Sequence, residues 1–274
     1  RITRDMWEWK GPVHNYVNCK EDSYQHGGSL KGVKIISHVE NTGKSYNVTV
    51  KEKYLNDAKL LADELERNPS DTRSQFYLAQ SYRDAGEHEL SIEHYAKRVE
   101  MGGWPEEVYM AQLYKATQMV HLDKHTYEES LGALLKAWCL RPHRAETLFW
   151  LAKICRESGH YPQADLFAKI GVTLPIPEKD ILFVQKDVYK WRLYDEYSII
   201  AYNLDKENDC LVSIFKILSY MSENPKSFAD NERERLILNA NYCIRKFLNT
   251  GEELNKSQGD ILGILKEYFL KKAT

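Results

Sequence analysis

The segment Trp7-Glu8-Trp9-Lys10-Gly11-Pro12-Val13-His14-Asn15-Tyr16 carries the sharpest chemical signal in the chain. A neutral imidazole at His14 can offer its lone pair to a divalent metal or meet a phosphate. Pro12 would stiffen the approach, and the tryptophans would hold the strand against a larger body. The same residues also read as a buried edge strand, with Trp7 and Trp9 on one face and His14 satisfied by a hydrogen bond. Residue types alone leave both readings open.

Other candidate sites are weaker. Gly43-Lys44-Ser45 suggests a phosphate loop, but His38 stands where the pattern needs its first glycine, so a solvated turn fits better. His121 and His125 have the four-residue spacing of two zinc ligands on a helix. The intervening Leu122-Asp123-Lys124 puts no general base in the required place, which favours a surface pair. A metal hydrolase built on His14, His26 and His38 finds no support in their spacing. The chain contains no D-x-D, G-x-S-x-G or G-x-G-x-x-G, so no complete independent active site is legible.

Composition narrows the class. With 274 residues there is material for a large core, in one domain or two unequal ones. Basic and acidic residues number 38 and 40, for a net charge of −2, without the basic excess of a nucleic-acid binder. No apolar run is long enough to span a bilayer. The start, RITRDMWEWK, has neither a signal-peptide core nor a methionine, and reads as a fragment or processed chain. Five dispersed cysteines without a C-x-x-C pair read as buried thiols in a reducing, cytoplasmic compartment.

The elements that must position these residues change character near residue 50. Residues 1–52 mix aromatic and β-branched residues with glycine, a pattern of strands and loops that would struggle to bury a core alone. From Lys53 the pattern turns helical. Leu78, Ala79, Tyr82, Gly86, Ser91 and Tyr95 match the offsets of a tetratricopeptide unit. Leu151, Ala152, Cys155, Gly159, Ala164, Ala168 and Gly171 match a second, closed by Pro175. Ser130, Leu134, Ala137 and Pro142 supply the second helix of a unit between them, and Ala58, Ala62, Leu65 and Pro69 an earlier second helix lacking its partner. Small residues at such offsets let antiparallel helices approach closely. Gly86 and Gly159 are expected in left-handed turns, and Gly102-Gly103-Trp104-Pro105 as a connector with Trp104 packed on the next hairpin. TLPIPEKDILF reads as an extended link. Ser198–Leu204 and Cys210–Tyr220 suggest a divergent hairpin, and Arg233–Asn249 and Gln258–Lys272 terminal amphipathic helices. The expected fold is mainly α: a tetratricopeptide-like solenoid over 53–228, a short β/loop segment before it, and capping helices over 229–274.

The W-x-W-x-G-x-V-H-x-Y element, followed by FYLAQSYRDAGEHELSIEHYAKRVEMGGWPEEVY and RPHRAETLFWLAKICRESGHYPQADLFA, resembles family 2 glycosyltransferases. In these a GT-A nucleotide-sugar domain precedes tetratricopeptide-like repeats. The resemblance implies that residues 1–52 end a catalytic domain, and that His14 helps bind the Mn²⁺ or Mg²⁺ and diphosphate of a nucleoside diphosphate sugar. The acidic residue usual after that histidine is Asn15 here. The resemblance places the D-x-D motif and the catalytic base before Arg1, so this chain would not turn over alone. The repeats would then position a protein, peptide or glycan acceptor, or mediate self-association into a homo-oligomer. Tyr77, Gln80, Arg83 and Trp150 are the candidate groove residues, because aromatic and arginine side chains favour recognition surfaces. The competing expectation is a stand-alone interaction scaffold that binds a peptide and catalyses nothing. If residues 1–50 pack fully on the repeats, the scaffold gains; if they stand exposed and strand-poor, the transferase gains.

Overall fold

A computed structural model describes residues 7–20, 48–122 and 124–249. His26, His38, the Gly43-Lys44-Ser45 turn and the helix expected over 258–272 lie outside the described residues. The described residues are mainly α-helical, arranged as antiparallel hairpins, with one two-stranded sheet ahead of them. The chain separates into two compact units, residues 1–122 and 123–274.

In the first unit, β1 (Trp7–Lys10) pairs antiparallel with β2 (Tyr16–Cys19), setting Trp9 opposite Val17 and Lys10 opposite Tyr16. The tight loop between them uses left-handed backbone at Gly11 (φ 91°) and His14 (φ 51°). Four helices follow: α1 (Val50–Arg67), α2 (Thr72–Asp84), α3 (His88–Glu100) and α4 (Pro105–His121). Helix α1 begins three residues before Lys53 because Thr49 and Glu52 form a reciprocal capping box. The Glu52 amide donates to Thr49 Oγ1 (3.2 Å), and the Thr49 amide donates to Glu52 Oε2 (2.7 Å). α1 packs on α2 around Ala58, Leu61 and Leu78.

Between α2 and α3 the approach is close enough for Ser91 Oγ to donate to the Ala79 carbonyl at 3.0 Å, with both residues fully buried. Gly86 (φ 79°) closes that hairpin, and the Glu87 amide donates to the Tyr82 carbonyl (2.9 Å). Arg98, fully buried, holds the next connector by donating to Glu107 (2.7 Å) and to the Gly102 carbonyl (2.6 Å). Trp104, expected to pack, remains 41% exposed as the residue preceding Pro105 at the start of α4.

The second unit holds α5 (Tyr127–Leu140), α6 (Ala145–Glu157), α7 (Tyr161–Gly171), α8 (Leu193–Asn203), α9 (Glu207–Glu223) and α10 (Asp230–Asn249). The α6–α7 hairpin turns at Gly159 (φ 77°). Gly171 ends α7 against α6 and α8, where a Cβ would come within 2.4 Å of Leu193 Cδ2 and 3.2 Å of Leu148 Cβ. Residues 173–183, expected as an extended link, carry no regular helix or strand. They lead into one π-helical turn, Val188–Arg192, continuous with α8. His121 ends α4 and His125 precedes α5, so the two are not on one helix as their spacing suggested.

Candidate functional site

Three of the four singled-out residues of the first unit lie on α2, and one of these meets His14. The loop tip places Val13 against the Ala58–Leu61–Leu78 cluster. It also stacks the His14 ring on Tyr77, with centroids 4.1 Å apart and planes at 20°. Arg73 fastens the arrangement from outside: its guanidinium covers Tyr16 (4.7 Å) and Tyr77 (4.8 Å) and donates to the His14 carbonyl (3.1 Å). Partial burial lowers the His14 pKa; Asp57 opposes this, while Arg73 and Lys53 add to it. Burial thus favours the neutral form of the imidazole. Trp7 is half-buried and Trp9 is 72% exposed, so the two tryptophans do not make a buried edge together.

His14 was also the expected metal ligand. Among the described residues no three His, Cys, Asp or Glu side chains gather to hold an ion. Around the His14 ring the Asp57 carboxylate and the Arg73 and Lys53 cations act with opposite signs. Gln80 lies one turn along α2, and its Oε1 is buried without a hydrogen-bond partner among the described residues. Arg83 is committed internally: it pairs with Asp84 (2.8 Å), lies over Tyr114 (4.4 Å) and approaches the Tyr95 hydroxyl (3.5 Å). Trp150 belongs to α6 in the second unit, edge-on to Phe149 at 5.7 Å.

The second unit contains a groove that no local sequence pattern marked. A cavity of about 310 Å³ lies between α6, the π-turn with α8, and α10. Phe149 on α6 supplies its aromatic wall, with Arg192 of the π-turn 4.7 Å above the ring. The Leu193 amide donates to the Val188 carbonyl, five residues back, which widens this turn and swings Trp191 and Arg192 relative to a regular helix. Every groove cation has a carboxylate neighbour: Arg156 with Glu196 (2.6 Å), Arg192 with Asp187 (3.3 Å), Arg235 with Asp195 (2.8 Å), and Lys153 with Glu157. The surface offers both signs of charge beside an aromatic ring.

A buried ionic network positions that π-turn. Arg144, fully buried, grips Glu146 through two bonds (2.9 and 2.8 Å) and reaches Asp180 (3.3 Å) and the Leu182 and Phe183 carbonyls. Glu146 also accepts from the Tyr189 hydroxyl (2.7 Å) and the Gln185 amide (3.0 Å). Asp180 is clasped by Arg141 (2.9 Å) and His143 (3.3 Å). Burial pushes the Asp180 carboxyl up, but hydrogen bonds from Arg141, Arg144 and His143 outweigh it and hold the pKa at about 2. The extended link is thus a strap tied down immediately before Trp191.

These hairpins and their recessed, mixed-charge surfaces define a tetratricopeptide-like helical-repeat protein. The chain is similar in structure to "Crystal structure of BtubC (BKLC) from P. vanneervenii", at 9% identity and TM-score 0.56, over 82% of this chain and 91% of that one. It is similar also to "Crystal structure of MamA", at 14% identity and TM-score 0.52, over 68% and 98% of the two chains. At such identities the likeness shows the fold alone. No protein-family model and no curated protein matches the sequence. Among the described residues no helix is long and apolar enough to cross a membrane.

Proposed function

We propose that this chain is a protein-interaction scaffold whose second-unit groove holds an extended peptide segment. The observation that carries this reading is the groove itself, with Phe149 and Arg192 stacked at its wall and paired charges along it. Helical-repeat folds present such recessed faces to peptides. A stacked arginine–aromatic pair has the character of an interface hot spot. The first-unit loop tip packs on α1 and α2, which supports a module whose β-hairpin completes the helical repeats. Selection of a displayed random-peptide library on the full chain, followed by fluorescence polarisation, tests it. Arg192→Glu and Phe149→Ala should each weaken the selected peptides about tenfold or more, the loss of one hot spot. Peptides that bind both variants as well as the parent chain refute the reading.

The transferase reading is supported by the exposed strand residues, Trp9 above all, and by the partial burial that lowers the His14 pKa on the hairpin loop. On this reading UDP with Mn²⁺ binds a longer version of the chain that carries the D-x-D motif, and His14→Ala weakens that binding. Calorimetry showing no heat with that longer version removes it.

A further inference from the structure

We infer that the cavity between the hairpin loop and the α1–α2 turn is a second binding site, built around Arg73 for a carboxylate-bearing peptide segment. The cavity measures about 370 Å³ and is lined by Lys10, Tyr16, Glu64, Asp71, Arg73 and Tyr77 among others. That volume lies within the usual range of small-ligand pockets, about 300–1,000 Å³. In the first unit Arg67, Arg83 and Arg98 each meet a carboxylate, from Glu64, Asp84 and Glu107. Arg73 meets none among the described residues. Instead its guanidinium lies over two tyrosine rings, and its one side-chain hydrogen bond among the described residues, to the His14 carbonyl, uses Nη2. The remaining N–H groups form an oriented fork of the kind that grips a carboxylate through two bonds. The tyrosine faces restrict its motion, so little side-chain entropy remains to be lost on binding.

The other charges narrow the ligand. Lys10 stands at the cavity with the half-buried Glu8 as its ion-pair partner among the described residues (3.0 Å), so it can add to an anion's hold. Asp71 is spent on capping α2, accepting from the Arg73 and Ser74 amides and the Ser74 hydroxyl. Glu64 holds Arg67 through Oε2 at 3.2 Å, leaving Oε1 to accept a backbone N–H. Two carboxylates at the cavity disfavour a doubly charged phosphate more than a singly charged carboxylate. An acidic side chain on a peptide, whose own amides suit Glu64, matches this lining. The site is separate from the second-unit groove, so either proposal can fail without the other.

The test is a nuclear magnetic resonance titration of the full chain, read at the Ser74 amide and the Tyr77 ring. The probes are acetyl-Glu-Ala-amide, acetyl-Gln-Ala-amide and inorganic phosphate. Saturable shifts with the glutamyl peptide, absent with the glutaminyl one, are expected. Arg73→Lys, which keeps the charge but loses the fork, should weaken the glutamyl peptide about tenfold. The Tyr77 ring-current shift of the His14 protons must persist in that variant, showing that the hairpin is still docked. Equal response to the neutral peptide, or tighter binding of phosphate, overturns the inference. So does loss of the ring-current shift in the Arg73→Lys chain, which would make Arg73 a strut for the hairpin.

Discussion

Replacing Glu146 by alanine removes the centre of the strap network, and the cost can be worked from its bonds. The carboxylate accepts two bonds from Arg144, one from the Tyr189 hydroxyl and one from the Gln185 amide, with no exposure to solvent. Arg144 would keep Asp180 and two carbonyls as partial compensation. Removing one partner of a buried ion pair typically costs about 3–5 kcal/mol, and the remaining contacts place Glu146→Ala near about 3. Hydrogen exchange at slowly exchanging amides of α6, such as Ala152, reads the loss directly. Three kcal/mol corresponds to a fall in protection of about 150-fold. The paired change Arg144→Met with Glu146→Leu removes both charges together and should recover most of it, since a buried pair often gives way to apolar residues at little cost. A fall below about fivefold for Glu146→Ala, or a double variant no better than the single, would refute the claim that this pair holds the strap.

Three further outcomes follow from the same contacts. Asp180 has its pKa depressed from 3.8 to about 2, so its stabilising contribution is complete above pH 3.8 and drains away as pH falls through about 2. Asp180→Asn should flatten acid unfolding in that window, as followed by circular dichroism. Gly171→Ala should destabilise by about 1–3 kcal/mol in urea unfolding, because the new Cβ drives into Leu193 and Leu148; a neutral result would mean that Leu193 swings aside freely. Tyr77→Ala should release the His14 ring to solvent and return its pKa towards the ordinary histidine value, measured by proton-shift titration, because burial is the main cause of its depression.

Helical order was readable wherever small residues recur at fixed offsets. Ala79 and Ser91 touch as the template demands, and Gly86, Gly159 and Gly171 sit where only glycine is comfortable. The start of α1 was missed: periodicity becomes regular only at Lys53, and the Thr49-x-x-Glu52 capping box that starts the helix at Val50 was passed over. The strap was not readable. Glu146 and Tyr189 are 43 residues apart, and ion-pair partners at that distance leave no periodic trace. The π-turn likewise looks like ordinary helix in Val188-Tyr189-Lys190-Trp191-Arg192, so the groove went unmarked although the neighbouring Trp150 was singled out. At the hairpin, aromatic types drew attention to Tyr77 and His14 separately. That they would stack depends on the loop's left-handed residue, a tertiary outcome that composition does not encode.

The strap also sets a timetable for synthesis. Arg144 is made 36 residues before Asp180 and its neighbour Ala145 44 before Tyr189. At ribosomal rates of about 5–20 residues per second, the nascent second unit spends about 2–9 seconds with its Arg144–Ala145–Glu146 segment lacking these later partners. During that interval α6 and α7 can pair, but the face awaiting the strap stays open to nascent-chain chaperones. The order of translation therefore leaves this face of α6 waiting for partners that chain growth supplies only later.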